Sequence, residues 1–273
     1  MVKAKKDGFR LCSLISYKLV GVPKDSPKAF MKGSRVDRLF RYFSNESYAK
    51  DFIKGMVRFQ PLAFFQAFPD ETRGDRFEGV SLYRPPGGMQ FTRLNGEQIT
   101  GQIESYQASV DASKIFIYCL SRTLNTRLAI EFNANTSIEI FDVRGFCQRI
   151  TSALPEGVEL ANRRLPNGSL AKRLLNPVKY YKEDEDCSVR SAFGDEIAVS
   201  KLARYAYQDE VRLMFALKNS LGYGAPTHLM AGSDYTPGSH PDPGPLIINT
   251  GDLSSFCRLR SIEKLIGGAQ NDS

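Results

Sequence analysis

The sequence predicts an α+β fold built on a mixed, mainly antiparallel sheet, and three features carry that expectation. Strand-like segments outnumber helical ones and show no regular strand–helix–strand alternation, which disfavours a doubly wound parallel sheet. Residues 114–121 (KIFIYCLS) form a continuous apolar run closed by a serine, the pattern of a central strand covered on both faces. In residues 205–217 (YAYQDEVRLMFAL), Val211, Leu213, Phe215 and Leu217 fall on one face of an extended chain, and Gln208, Glu210 and Arg212 fall on the other. That segment alone also fits an edge strand with a solvated Glu–Arg pair.

Residues 1–34 read as a basic, irregular N-terminal extension broken by Gly21, Pro23, Pro27 and Gly33. VDRLFRYF (36–43) reads as a strand with both faces covered. Asn45 caps a helix over residues 46–54, Gly55 stops it, and MVRFQPL (56–62) is a short strand ended by proline. Residues 67–80 (AFPDETRGDRFEGV) read as a charged loop, and residues 89–100 as a hairpin around Asn95 and Gly96. A polar, partly helical segment is expected next. LAIEF and SIEIF (128–141) suggest two strands, Asp142 caps a helix running to Ala153, and VELAN (158–162) and PVKYY (177–181) suggest two more strands before the acidic loop 182–186. A Pro/Gly-rich stretch (235–245) precedes a C-terminal strand and helix. The chain is expected to be one domain, with residues 35–220 as its core and residues 221–273 as the Pro/Gly loop and terminal elements.

Composition narrows the function classes. With 42% hydrophobic and 25% charged residues, the chain can bury an ordinary core. No run approaches the 18 apolar residues of a membrane span, and the basic N-terminus lacks a signal-peptide pattern, so a cytoplasmic protein without membrane contact is expected. Five scattered cysteines (Cys12, Cys119, Cys147, Cys187, Cys257) fit neither a zinc site nor a disulfide framework, and Cys119 reads as core. His228 and His240 lack metal-ligand spacing, so no metal is expected. The net charge of +7 suits a polyanionic partner as well as a solubilising surface.

No dinucleotide-binding glycine fingerprint, P-loop or nucleophile elbow is present. Three strand segments instead carry a polar residue among apolar ones: LFRYFS (39–44), IYCLS (117–121) and YQDEVRLMF (207–215). Arg41 among Phe40, Tyr42 and Phe43 needs an anionic partner, either a structural carboxylate or a phosphate.

The ordered set Arg41, Ser121, Glu210, with Gln208 two residues before the glutamate, resembles the active-site pattern of ADP-ribosyltransferases. LFRYFS, MVRFQPLAFF, DRFEG, IYCLS and YQDEVRL, in that order, also resemble a widespread family of bacterial proteins with a Leu-Phe/Tyr-Arg-Tyr start and a late Gln/Glu-x-Glu strand. The resemblance covers about residues 36–217, with weaker support from LIINTGDLSSF. It departs at Gly-Asp-Arg-Phe-Glu (74–78), where the family reads Asn-Asp-Pro-Phe-Glu, and after Ser121, where Arg-Thr replaces Thr-Ser.

The resemblance implies a split, mainly antiparallel sheet with peripheral helices, NAD as substrate and no metal. It implies that Glu210 stabilises the oxocarbenium-like transition state and that Arg41 binds an NAD phosphate or the nearby ribose. Ser121 would support Glu210 or bind the nicotinamide ribose, and Gln208 would orient the acceptor. Tyr42 or Tyr48 would stack on nicotinamide, although each alone reads as core packing. The acceptor would be RNA, DNA or protein, in a toxin or antiviral-defence setting that also suggests an antitoxin or immunity partner. Water as acceptor would make the protein an NAD glycohydrolase. Two other classes fit the residues: a non-enzymatic nucleic-acid- or partner-binding protein on the same fold, and a metal-dependent hydrolase using Asp75, Glu78 and Glu210.

Overall fold

The computed structural model describes residues 36–68, 74–92, 98–164, 169–187, 190–191, 193–217, 220–221, 228–231 and 242–262. The basic extension 1–34, the tip of the turn at Asn95 and Gly96, and His240 lie outside them. In chain order the elements are β1 (Leu39–Phe43), α1 (Glu46–Ile53), β2 (Met56–Pro61), α2 (Leu62–Ala67), β3 (Val80–Tyr83), β4 (Met89–Thr92), β5 (Gln98–Ile103), β6 (Tyr106–Ser109) and β7 (Ile115–Ser121). They continue with α3 (Thr126–Glu131), β8 (Thr136–Ile140), α4 (Val143–Ala153), β9 (Glu159–Arg164), β10 (Leu170–Arg173), β11 (Leu175–Pro177), β12 (Lys179–Tyr181) and α5 (Gly194–Ala198). Then come β13 (Ser200–Leu202), a 3-10 helix (Ala203–Gln208), β14 (Glu210–Ala216), β15 (His228–Ala231), β16 (Leu246–Asn249) and β17 (Cys257–Ser261). The fold is mixed α+β. Every strand pairing among the described residues is antiparallel except β12 with β13. No described helix is long and apolar enough to cross a membrane.

β7 is the hub. One edge pairs with β14 along its whole length, from Ser121 opposite Glu210 to Ile115 opposite Ala216. The other edge is shared between two strands. Ser121 lies opposite Phe40 of β1, while Ile117 and Phe116 lie opposite Gln60 and Pro61 of β2. β8 and β17 extend the β1 branch, and β16 extends the β2 branch. The sheet therefore forks at residues 118–120, and the fork opens a cleft at its own centre.

Apolar residues on both faces hold this arrangement. One face buries Phe52 of α1 and Phe146 of α4 against Leu39, Phe59, Ile138, Ile140 and Phe215. The other packs Leu62 of α2 and Ile197 of α5 on Ile115, Ile117 and Met214. The helix starts follow local chemistry. Asn45 Oδ1 accepts from the Ser47 N–H at 2.8 Å, and Asp142 Oδ1 accepts from the Gly145 N–H at 2.9 Å. Gly55 ends α1 at φ +102°, a region that favours glycine. Its carbonyl accepts from the Thr250 N–H at 2.9 Å, and a Cβ there would lie 2.1 Å from the Gly251 oxygen. This contact fastens the C-terminal segment to the α1–β2 turn.

Several expectations change. LAIEF belongs to helix α3, not a strand, because Asn125 Oδ1 caps it through the Leu128 N–H at 2.9 Å and Leu128 and Ala129 bury a helical face. The segment after the hairpin carries strand β6 rather than a helix, with Ala108 buried between β3 and β15. CRLRS is strand β17, paired with β8, not the start of a terminal helix. The first strand is shorter than 36–43, and Leu62, expected to end the strand 56–62, instead begins helix α2. The segment 205–217 is not one amphipathic strand. It is a 3-10 helix to Gln208, Asp209 in the left-handed region at φ 43°, and then β14, whose seven residues are all buried.

Glu139 of β8 sits on the face opposite Ile138 and Ile140. Arg38 reaches it at 2.9 Å, Arg258 at 2.8 Å and Arg260 at 2.6 Å. The Arg258 hydrogen bond, with Arg260 adding to it against the opposing effect of burial, holds its carboxyl at about 2.

Two outcomes are expected. Gly55→Ala should lower stability by more than about 2 kcal/mol in urea unfolding, from left-handed strain plus the clash with Gly251. Because the folded value of Glu139 lies below the ordinary one, its contribution is present above about pH 5 and lost as pH falls towards about 2. Glu139→Gln should therefore cost about 1 kcal/mol at pH 7, a figure reduced for the half-exposed arginines, and the gap to wild type should close below about pH 3 in pH-resolved thermal melts.

Candidate functional site

The fork opens into a cavity of about 580 Å³ whose lining includes Arg41, Tyr42, Tyr48, Ser121, Gln208 and Glu210. All six sequence-predicted site residues thus border one space. Aromatic rings dominate its wall, among them Phe40, Phe43, Phe52, Phe64, Phe65 and Phe68. Tyr48 is exposed at the rim with Met56 and Ile247.

Arg41 projects from β1 into the fork. Its Nη1 donates to the Cys119 carbonyl at 2.7 Å, and its guanidinium lies 4.8 Å from the Tyr118 ring centroid. No carboxylate among the described residues pairs with it. Its Nε is buried without a hydrogen-bond partner, and so is Oε1 of Gln60, which lines the same cavity. The Tyr118 hydroxyl, on a third lining residue, is buried without a partner too, so three unpaired polar groups lie in the wall of this cavity.

Glu210 begins β14, at the buried end. Its Oε1 accepts from Arg212 Nε at 2.7 Å and its Oε2 from Lys201 Nζ at 3.0 Å. Its backbone N–H donates to the Tyr180 hydroxyl at 2.8 Å. Arg212, fully buried, also forks onto both oxygens of Glu78, at 2.6 and 3.0 Å, and donates to the Ala198 carbonyl at 2.7 Å. Lys201 donates as well to Gln208 Oε1 at 2.9 Å. Two carboxylates and two cations thus form a closed, neutral network. Burial alone would raise Glu210, but the Arg212 and Lys201 charges outweigh it and hold the carboxyl well below the carboxylate range. Burial pushes Glu78 up, with Arg212 and Lys201 opposing. Burial likewise lifts the Tyr180 phenol to about 12.

The remaining residues differ in part from their expected placement. Gln208 is not on the strand face of Glu210. It ends the 3-10 helix, and the left-handed turn at Asp209 brings its amide to Lys201. Asp209 is held there by Arg122, whose Nε donates to its carboxylate at 2.8 Å and whose N–H donates to its carbonyl at 3.0 Å. Ser121 Oγ donates to the Gln208 carbonyl at 2.9 Å and accepts from the Thr123 N–H at 3.1 Å. Tyr42 is buried, with its hydroxyl donating to the Thr123 carbonyl at 3.0 Å and accepting from the Asn125 N–H at 2.9 Å. Cys119 packs against the apolar cluster of Ile115, Ile117 and Met214 and also lines the cavity, and burial followed by the Glu210 charge raises its thiol. Arg212 is no solvated neighbour but the centre of the network. The carboxylates considered for metal binding are otherwise engaged: Glu78 and Glu210 share Arg212, and Asp75 accepts from the Phe77 N–H at 3.0 Å.

Sequence reasoning missed Lys201 and Gln60. The same signal that marked Arg41 was available for Lys201, a charge inside the apolar run IAVSKLA. Gln60, between Phe59 and Pro61 on a short strand, carried no distinguishing signal.

Arg212→Met should destabilise the fold by about 3–5 kcal/mol, since it strands two buried carboxylates. Adding Glu78→Gln should recover part of that loss in urea unfolding; equal losses in the single and double variants would mean that packing, not charge, is what Arg212 supplies. Comparison of the chain with protein-family models, curated proteins and solved structures yields no match.

Proposed function

We propose that this chain is an NAD-dependent ADP-ribosyltransferase, on an ADP-ribosyltransferase-like split sheet, that modifies a macromolecular acceptor as a toxin or defence effector. The observation that carries the reading is the fork at β7, where Arg41, Ser121, Gln208 and Glu210 border one aromatic-walled cavity. The cavity volume of about 580 Å³ falls within the range of small-molecule sites.

Each group has a chemical part in this reading. Arg41, without a carboxylate partner, binds the NAD pyrophosphate. Tyr48, exposed at the rim, offers a ring for stacking, whereas Tyr42 spends its hydroxyl on the 123–125 turn and positions that turn instead. Glu210 is anionic and fixed, so it contributes standing negative charge beside the ribose C1′ rather than proton transfer. With Arg212, Lys201 and the Cys119 thiol as partners, its carboxylate keeps one of about four acceptor sites for a ribose hydroxyl. The bond from C1′ to the nicotinamide nitrogen breaks, and its electron pair leaves with neutral nicotinamide. The acceptor nucleophile bonds to C1′ and releases its proton to solvent. Gln208, buried and held by Lys201, lines the cavity with Glu210 and would orient the acceptor from there. The basic balance of the chain favours a nucleic acid over a protein in that role.

The test is nicotinamide release from NAD, with and without cell extract. Glu210→Gln should reduce the rate by about 100-fold or more, as loss of a transition-state charge does. Arg41→Ala should mainly raise KM for NAD. Release that needs no extract and leaves macromolecules unlabelled would make the protein an NAD glycohydrolase. No release and no NAD binding by the wild type under either condition would refute the reading.

A further inference from the structure

A single row of cross-strand neighbours crosses five strands. Glu210 lies opposite Ser121, Ser121 opposite Phe40, Phe40 opposite Glu139, and Glu139 opposite Arg258. Directly opposed residues share a face of the sheet. Glu139 and Arg258 therefore stand on the same face as Glu210, three and four strand spacings away, or about 14 and about 19 Å at the usual separation. Phe40 lies between them, and it lines both the central cavity and a second pocket of about 280 Å³ bordered by Arg38, Leu124, Glu139, Arg260 and Ser261.

The charge at this second pocket is unbalanced by design of the sheet. Arg38, Arg258 and Arg260 converge on one carboxylate that is 1% exposed, while their own side chains are 60%, 48% and 42% exposed. One anion against three guanidiniums leaves an excess of two positive charges. Arg258 and Arg260 bind Glu139 through Nε, so their terminal nitrogens have no partner among the described residues. A planar guanidinium pinned at Nε presents its outer edge, the edge that grips a phosphate with two hydrogen bonds. Exposed aromatic surface lies beside it: Phe141 is 41% exposed, and the Arg258 guanidinium sits 5.5 Å from its ring centroid. β17, which carries two of the arginines, ends the sheet order, so this face is reached from the side.

We propose that Arg38, Arg258 and Arg260 form a binding face for the phosphate backbone of a single-stranded nucleic acid, in line with Glu210. Buried Glu139 acts as the anchor that preorganises the three guanidiniums. A concave pocket with an arginine rim and neighbouring aromatic surface suits one nucleotide of a flexible strand, with base stacking beside phosphate contact. That the strand is the acceptor delivered to Glu210 rests on the NAD reading; the binding itself does not.

The experiment is fluorescence anisotropy of labelled single-stranded RNA and DNA oligonucleotides against the full chain, over a salt series. Arg38→Gln, Arg258→Gln and Arg260→Gln are compared singly, because each leaves two arginines on Glu139 and so does not strand it. Each should weaken binding about 5- to 10-fold at low salt and reduce the slope of log affinity against log salt by about 0.7. NAD cleavage without oligonucleotide should be unchanged in all three. Wild-type chain that fails to bind at low salt, variants with unaltered affinity and slope, or equal displacement by polyglutamate would each overturn the proposal. Arginine-dependent oligonucleotide binding without NAD cleavage would sink only the NAD reading. NAD cleavage without arginine-dependent binding would sink only this one.

Discussion

The buried guanidinium of Arg212 is the constraint on which the site depends. It leaves β14 and ties together the turn that carries Glu78, the end of α5 at Ala198, and Glu210. Burying an arginine is tolerable only when its donors are met, and burying two carboxylates beside it only when their charge is met. The network is therefore cooperative: each ion is affordable because the others are present. Glu210 inherits its position and its charge from this arrangement rather than from its own side-chain preferences.

The fork in the sheet is the second determinant. Strands in a continuous sheet would cover the edge of β7, and no cavity would exist there. Because β1 and β2 take different ends of that edge, the Cys119 carbonyl is met by the Arg41 side chain instead of by a neighbouring strand. A sheet defect thus does two things at once. It opens a cavity, and it draws a cation into its wall. The Asp209 turn does something similar on the other side, trading backbone strain, held by Arg122, for a Gln208 amide aimed at Lys201.

Much of this was legible in the sequence, and the failures have physical causes. The central strand, the caps at Asn45 and Asp142, and the stop at Gly55 follow from residue chemistry acting over a few positions. The placement of Arg41, Ser121 and Glu210 in separate apolar strands was visible as charge and hydroxyl among hydrophobic neighbours. LAIEF was ambiguous because a five-residue apolar run satisfies either a strand or a buried helical turn. The alternation in 205–217 was a true strand signal only from Glu210, because polar spacing does not reveal a left-handed residue. Lys201 escaped notice because its three-residue strand has no period, and its partners are fixed only by the tertiary fold.

The Gly55–Gly251 contact has a consequence for how the molecule comes into being. β16 and β17, which that contact fastens down, complete the two arms of the fork, yet they are made after all the strands they cover. On the ribosome, β2 and β8 therefore wait with open edges for partners almost two hundred and more than a hundred residues downstream. Such distant pairings are slow to close. The carboxylate at 210 likewise joins the arginine at 41 only after most of the chain has emerged. A chain interrupted before residue 210 would lack β14, and with it the strand that covers the whole of one edge of β7.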